Sequence, residues 1–528
     1  MWGGRRGSRR TPAAIEGGRG RPAADHGVRP TLTVRPPLHE DDTLCSSLMN
    51  HVNLQAAAHD EMLEHGFHPD FSPENQAQIA SIRAAKPVAP GPAVKDMRNL
   101  LWSSIDNDSS RDLDQIEYAE KQPDGSTRVL VGIADVDGSV PKGSSIDLHA
   151  SDEGTSVYTG VQTFPMLPEE LSTDLTSLSE NGDRPAIVID ISVSAEGIIQ
   201  SGQSYRALVR NHAQLTYSSI GPWLEQKGAA PAKVTASVEL QNQLKLQDEA
   251  AQKMRAMRFK SGALAIDSIE TTPTLVNGQV TGLQTMLKNR ATELIEDFMI
   301  AANEVIARLL SSSGAASIRR VVKTPERWPR IVELAATLGE KLPDTPDSSA
   351  LNNFLMKRKA VDPVHAPDLS LAIVKLMGPG EYIVERPGDP PQGHFGLAVH
   401  DYTHATAPNR RYADLVTQRL IKAGDSYTAA ELDVVARNCT LREDMARKVE
   451  RVMKKRIAAV ALSNRIGQVF EGVVTGVTPK GTFVRVVDPP AEGRVMRGEE
   501  GLDVGDQIKV KLLNTDVQKG FIDFGRTN

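Results

Sequence analysis

Cysteine is nearly absent. Two residues in 528, Cys45 and Cys439, stand far apart and form neither a metal-binding nor a redox pattern. That scarcity excludes a disulfide-built secreted scaffold and points to a reducing, cytoplasmic setting. No apolar run approaches the roughly eighteen residues that a membrane-spanning helix needs, so no membrane partner is expected. Excess positive charge is missing as well. A net charge of −6 argues against indiscriminate coating of nucleic acid and restricts any such contact to a local basic channel. What is present is ordinary for a globular protein: 40% hydrophobic and 24% charged residues, at a length that calls for more than one domain.

Composition divides the chain. Residues 1–43 are rich in Gly, Arg and Pro, with Arg5, Arg6, Arg9 and Arg10 but no apolar core of a signal peptide; a disordered basic tail is expected. Residues 44–93 read as a helical segment and linker. Met49, Val52, Leu54, Met62 and Leu63 recur at helical spacing, Phe71-Ser72-Pro73-Glu74 resembles a helix start, and Lys86 to Pro92 is a linker. Residues 94–425 form a large mixed α/β region. It has strands near Val129–Ala134, Ala186–Val193 and Ile199–Val209, and a helix from Ala291 to Leu310 with Leu294, Phe298, Ala301, Ala302, Val305 and Leu309 on one face. Residues 426–466 read as a basic helix with Val449, Val452, Met453, Val460 and Ala461 as its apolar stripe. Residues 467–528 change period: strands at Gly467–Thr475, Gly481–Val487, Gln507–Leu513 and Gly520–Phe524 fit a compact OB-type β-barrel. Phe470, Phe483 and Lys480 there suit either stacking and phosphate contact or, for the aromatics, the barrel core. The fold class is α+β: a mixed α/β domain, a terminal barrel and a short helical N-terminal segment.

One run carries the chemistry. Ser104 to Gln115 holds Asp106, Asp108, Asp112 and Asp114 within a few residues. Carboxylates so close repel one another unless a cation neutralises them, and hard divalent ions take oxygen ligands. If Arg111 to Gln115 is extended, Asp112 and Asp114 share a face, and Asp106 can fold back to join them. That cluster suits metal-assisted phosphodiester hydrolysis. An EF-hand is the rival, since Asp106, Asp108, Ser110, Asp112, Asp114 and Glu117 fall at its ligand spacing. Arg111, however, occupies the sharp-turn glycine position, and a strand rather than a helix follows. A solvated acidic loop is the remaining alternative.

Ser104 to Ile116 resembles the acidic signature of the ribonuclease II/R family, whose catalytic domain is called RNB. Val131 to Val136, Tyr158 through Ser172 to Leu178, Glu296 to Asn303 and Gly393 through Pro408 to Leu415 resemble other blocks of that domain in order and spacing. The barrel resembles the family's terminal RNA-binding domain. The resemblance implies a Mg²⁺-dependent (or Mn²⁺-dependent) 3′→5′ exoribonuclease that hydrolyses single-stranded RNA to nucleoside 5′-monophosphates. It implies metal ligation by Asp106, Asp112, Asp114 and Gln115, with the three aspartates and Arg410 as the catalytic group. Tyr158 would stack on a base, Glu296 would meet ribose hydroxyls, and Arg411, Phe483 and Lys480 would add substrate contacts. Arg410 or Arg411 could instead pair with Asp414, Tyr158 could be core, and Glu296 could be a surface residue. Single-stranded RNA is the expected partner of a monomer with no obligate protein partner.

The chain departs from the family pattern in four places. Gln115 replaces a fourth carboxylate, Asn409 an apolar residue, Ala407 a serine, and Val322 a frequent histidine. An amide oxygen can ligate Mg²⁺ but carries no charge, so a higher metal requirement is expected, and a catalytically silent RNA-binding protein is the runner-up. A nuclease directed at DNA is a third reading. Two cold-shock barrels, usual upstream of RNB, do not fit between Leu44 and Lys86. RNA grip is therefore expected to rest on the terminal barrel, on Lys454-Lys455-Arg456 and on the channel.

Overall fold

The computed structural model describes residues 53–85, 91–266, 270–276, 278–363, 365–423 and 426–527. The expected basic tail, residues 44–52 of the helical segment and residues 86–90 of the linker lie outside them.

Two helices follow, Leu54–Glu64 and Pro73–Ala84. Their starts are set locally. The Asn53 side chain accepts the Ala56 N–H, while Ser72 and Asn75 cap each other reciprocally just ahead of Pro73 in the first turn. Ala58, Met62 and Phe67 of this pair pack with Val157 and Phe164 and with Ala446, Val449 and Met453.

The main sheet has six strands in the order Lys95–Asp96, Ile199–Thr216, Trp102–Asp106, Gln115–Lys121, Thr127–Ala134, Asp183–Val193. The eighteen-residue strand Ile199–Thr216 also pairs antiparallel with Asp183–Val193, so the sheet curls back on itself. Thr127–Ala134 is buried along nearly its whole length. A continuous run of Val, Leu and Ile, without alternation, is what a strand covered on both faces requires. Trp102–Asp106 runs parallel to Ile199–Thr216 and meets Gln115–Lys121 at one pair, Ser103 opposite Glu117. Beyond that pair, residues 107–114 leave the sheet as the loop that carries the acidic run.

The helix Arg290–Ser313 buries Leu294, Phe298, Ala301, Ala302 and Val305, with Leu309 half-buried. It also buries Asp297, which Arg255 and Arg258 hold from the helix Val238–Lys260. The 34-residue helix Ala429–Leu462 begins at a capping box of Thr428 and Glu431. Its inward residues are Val449, Met453, Ile457, Ala459 and Leu462, whereas Val452, Val460 and Ala461 are half-buried. Of the basic triplet, Lys454 and Lys455 are exposed, but Arg456 turns inward to pair with Glu61 at 2.6 Å. Arg456 is thereby withdrawn from the expected three-residue RNA grip, because it joins the N-terminal helix to the long one.

The terminal barrel closes with five strands, not four: Val469–Thr478, Gly481–Val486, Ala491–Arg497, Phe521–Thr527 and Gln507–Asp516. Ala491–Arg497 alternates small apolar residues with Glu and Arg, a weak signal in the sequence, yet Ala491, Gly493 and Val495 all face inward. Phe470 is a core residue, edge-on to Phe524 at 6.2 Å between ring centres, so it offers no stacking surface. Phe483 is half-buried and Lys480 is exposed. Among the described residues no helix is long and apolar enough to cross a membrane.

Candidate active site

The acidic loop is fixed from below by the backbone of its neighbours. The Ala134 N–H donates to the Asp114 carbonyl, the Leu178 N–H to the Leu113 carbonyl, and the Ser177 hydroxyl to the Arg111 carbonyl. Residues 111–114 therefore cannot drift, and their side chains take defined directions. At the loop's other end Asp106 accepts from the Asn107 N–H at 2.8 Å and the Ser110 hydroxyl at 2.7 Å, and Gln115 Nε2 approaches its second oxygen at 3.5 Å. Asp108 takes the Ser218 hydroxyl at 2.6 Å.

A second loop comes in from the far end of the chain. Asp414 is fully buried and organises it: its carboxylate accepts the Ala407 N–H and both Nε and one terminal nitrogen of Arg411, each at 2.7–2.8 Å. Arg411 is therefore spent on Asp414, and its expected substrate contact is replaced by a structural one. The same turn places the Asn409 N–H 3.1 Å from Asp114 Oδ1 and Arg410 Nε 3.8 Å from Asp114 Oδ2. Arg410 remains 47% exposed, open to a ligand. The Arg410 carbonyl in turn accepts from the Ser156 N–H and the Thr155 hydroxyl. That strap leads directly to Tyr158, whose N–H donates to Glu450 and whose ring is 40% exposed. It begins at Gly154, where φ is +70° and a β-carbon would meet Arg442 Cβ at 2.8 Å; only glycine makes that turn unstrained.

Electrostatics follow from burial. Asp114 is 3% exposed, and loss of solvent pushes its carboxyl up to about 7, with Arg410 and the Asn409 N–H pulling down and Asp112 and Asp414 pushing further up. Asp112 is raised for the same reason, by burial and then by the charge of Asp106, against the pull of Arg410. The Tyr158 hydroxyl is raised by burial; Arg410, Asp112, Asp114 and Arg411 are the charges that act on it. The structure thus gathers Asp106, Asp112, Asp114, Gln115, Arg410 and Tyr158 in one recess. Glu296 is tied instead to Lys288 at 3.0 Å and Arg255 at 3.5 Å. Phe483 and Lys480 belong to the barrel.

Four oxygen donors, three of them anionic, suit a hard divalent ion. The elevation of Asp112 and Asp114, to which the neighbouring carboxylates add, is the unfavourable charge that a cation would relieve. Among the described residues, the trio of His, Cys, Asp or Glu whose ligand atoms all lie within 4.8 Å is a different one: His68, Asp152 and Glu153. His68 and Asp152 are largely exposed, Asp152 is paired with Arg442, and the Glu153 carboxylate accepts the His68 N–H. That group is a surface joint between the N-terminal helices and the rest of the chain.

The model of the RNB domain matches residues 94–424, and that of the RNase II-type exonuclease C-terminal S1 domain matches residues 468–527. The chain belongs to the RNB family. Ribonuclease R 1 of Lactococcus lactis is 30% identical over 469 residues, which cover 81% of this chain and 56% of that protein. The RNB chain described here thus spans little more than half the length of the curated relatives it matches. Among solved structures, the apo form of Mycoplasma genitalium RNase R superposes with a TM-score of 0.81 at 24% identity, covering 90% of this chain and 79% of that one. The same protein has been solved in complex with ribose-methylated single-stranded RNA. Yeast Ssd1, a pseudonuclease, superposes at 0.65 with 17% identity, covering 88% of this chain and 59% of that one.

Within this RNB recess, sequence reasoning missed Tyr217 and passed over Glu117 except as an EF-hand position. The Tyr217 hydroxyl is raised by burial and by the charges of Asp106 and Glu117. Nothing in the sequence marks it, because the end of the Ile199–Thr216 strand delivers it across the sheet. Asn409 was noted as a departure. Its side-chain oxygen accepts the Thr176 hydroxyl at 2.7 Å, which fixes the N–H that it offers to Asp114.

Proposed function

We propose that this RNB-family chain is a divalent-metal-dependent 3′→5′ exoribonuclease that hydrolyses single-stranded RNA to nucleoside 5′-monophosphates. The observation that carries the reading is the meeting of two chain-distant loops: Asp112 and Asp114 on one, Arg410 on the other, with the half-exposed Tyr158 ring beside them. Relatives called ribonuclease R, and an RNase R solved with single-stranded RNA, support RNA as the substrate class.

Asp106, Asp112, Asp114 and the amide oxygen of Gln115 would hold Mg²⁺ or Mn²⁺. When bound, the ion supplies charge that activates water and neutralises the scissile phosphate. The chain's own residues do the rest. Arg410, anchored through its backbone carbonyl and half-exposed at its guanidinium, donates a planar fork of N–H groups to phosphate oxygens. Tyr158 offers a face for the base near the 3′ end, as sequence-tolerant stacking requires. Glu296, steadied by Lys288 and Arg255, is the candidate for ribose hydroxyls, the contact that separates RNA from DNA. Phe483, Lys480, Lys454 and Lys455 extend the RNA path outside the recess. We expect a cytoplasmic monomer that needs no protein partner.

The uncharged Gln115 favours one other reading, a silent RNA-binding protein. Product analysis separates the two. Incubation of a single-stranded RNA with Mg²⁺ should release nucleoside 5′-monophosphates on chromatography, and the matching DNA should survive. No released nucleotide from RNA, with binding retained, would favour the silent protein. Equal loss of DNA would dismiss the ribose contact.

A further inference from the structure

None of the residues gathered in the recess comes from the helix pair 54–84, and the charge of that pair does not suit RNA. Asp60, Glu61, Glu64, Asp70 and Glu74 stand against a single full cation, Arg83. A segment of that sign repels phosphate, whereas proteins grip the nucleic-acid backbone with Lys and Arg. The contacts of the pair converge instead on the strap that carries Tyr158.

The chain enters that strap from the helix Ser145–Glu153, and the pair holds this helix at both ends. At its start, Asn75 Nδ2 donates to the Ser145 hydroxyl at 3.0 Å and the Ile146 N–H donates to Gln78 Oε1 at 2.9 Å. At its end, the Glu153 carboxylate, 3% exposed, accepts the His68 N–H at 2.8 Å. Arg442 of the long helix locks the same corner. Its guanidinium donates to the Gly66 carbonyl at 2.5 Å and to Asp152 at 3.1 Å, and lies 5.2 Å from the centre of the Phe67 ring. Two residues beyond Gly154, the Ser156 N–H reaches the Arg410 carbonyl at 3.0 Å.

The strap continues as two-residue strands, with Val157 opposite Phe164 and Tyr158 opposite Thr163. Successive side chains of a strand point to opposite faces. On one face Val157 and Phe164, 0% and 4% exposed, form a buried cluster with Ala58, Met62 and Phe67 of the helix pair. On the other face Tyr158 is 40% exposed. A pair of strands this short is marginal by itself, so the direction of the Tyr158 ring depends on the apolar anchorage behind it.

We propose that the N-terminal helix pair is a positioning element for the RNA 3′ end: Met62 and Phe67 anchor Val157 and Phe164, and that anchorage aims Tyr158 at the terminal base. This inference rests on the functional reading above, in which Tyr158 stacks on that base. Phe67 is a positioning residue in this scheme; it acts through the strap and does not touch RNA.

The test measures binding without turnover. A single-stranded RNA with 2-aminopurine as its 3′-terminal base is titrated with full-length protein in EDTA, and fluorescence reports both affinity and stacking. Tyr158→Ala is the reference. It should weaken binding about tenfold, the scale of one lost base stack, and abolish the fluorescence change. Phe67→Ala leaves every group proposed to touch RNA in place, yet should give a loss of the same order. In the Tyr158→Ala background Phe67→Ala should cost nothing further, because the ring it aims is already gone; an independent structural role would add its loss in both backgrounds. Phe67→Leu, which refills most of the cluster, should recover binding. If Phe67→Ala folds poorly, Val157→Ala runs the same cycle. Unchanged binding in Phe67→Ala, or equal losses in both backgrounds, would overturn the proposal. If Tyr158→Ala weakens binding and Phe67→Ala does not, only this inference falls. If Tyr158→Ala changes neither affinity nor fluorescence, the stacking in the functional reading falls and this inference with it.

Discussion

Arg410 and Arg411 are neighbours in sequence and differ in every property that matters. Arg411 closes a bidentate pair with the buried Asp414 and shapes its own loop. Arg410 keeps nearly half its side chain in solvent beside Asp114. Arg410→Ala should therefore lower kcat by roughly 10²–10³-fold, the cost of removing one preorganised donor to a developing anion, with little change in RNA affinity or melting temperature. Arg411→Ala should instead unfold the protein more easily, by about 3–5 kcal/mol, because Asp414 is left buried and unpaired. Steady-state kinetics and urea melts of the two variants check this; equal kinetic losses with equal stability would contradict it. The acidic run was legible in the sequence because Asp106, Asp112 and Asp114 lie within one loop. The division of labour between the two arginines was not, since both stand three or four residues from Asp414. The full burial of Glu117 with both carboxylate oxygens unpaired was hidden for a different reason, since only packing reveals it.

At the level of elements, amphipathic patterns read well where a helix or strand has one buried side. The Arg290–Ser313 helix is one such case. The strand Ala491–Arg497 escaped because its inward residues are Ala, Gly and Val, too small to stand out between charges. The segment 393–407 carried a family resemblance but no regular period, and its role is in packing. His394, Tyr402, His404 and Tyr382 meet ring to ring, and the Tyr382 hydroxyl and His404 Nδ1 are 2.7 Å apart. Burial and the Arg320 guanidinium bring His394 down to about 4, and burial with the guanidinium groups of Arg411 and Arg320 holds His404 well below its ordinary value. Both folded values lie below the unfolded one of about 6.5, so the unfolded chain binds more protons and stability rises with pH. The contribution is complete above about pH 6.5 and is lost as pH falls toward 4. Urea unfolding between pH 7.5 and 5 should show this decline, and a His394→Gln, His404→Gln double variant should show a shallower one. Parallel curves would contradict the assignment.

Across the whole molecule, the parts are joined by a few specific contacts. Ala459 and Leu462 of the long helix enter the barrel core, Arg485 of the barrel pairs with Asp368 of the RNB domain, and Arg456 fastens the N-terminal helices. Each contact uses a residue whose type was visible in the sequence, but Arg485 and Asp368 stand 117 positions apart and Arg456 and Glu61 395, so these two joints could not be read ahead of the fold. What these contacts hold together is a recess in which the acidic loop, the Arg410 turn and the Tyr158 strap meet. In the proposed function this recess shortens RNA from its 3′ end with a divalent ion although Gln115 carries no charge. The most direct measurement is a time course on a 5′-labelled single-stranded RNA with Mg²⁺, run beside Asp114→Asn and an EDTA control. Progressive shortening to a small limit product, lost in both controls, is the expected result. Intact RNA in every lane with a gel shift preserved would contradict it and leave an RNA-binding protein.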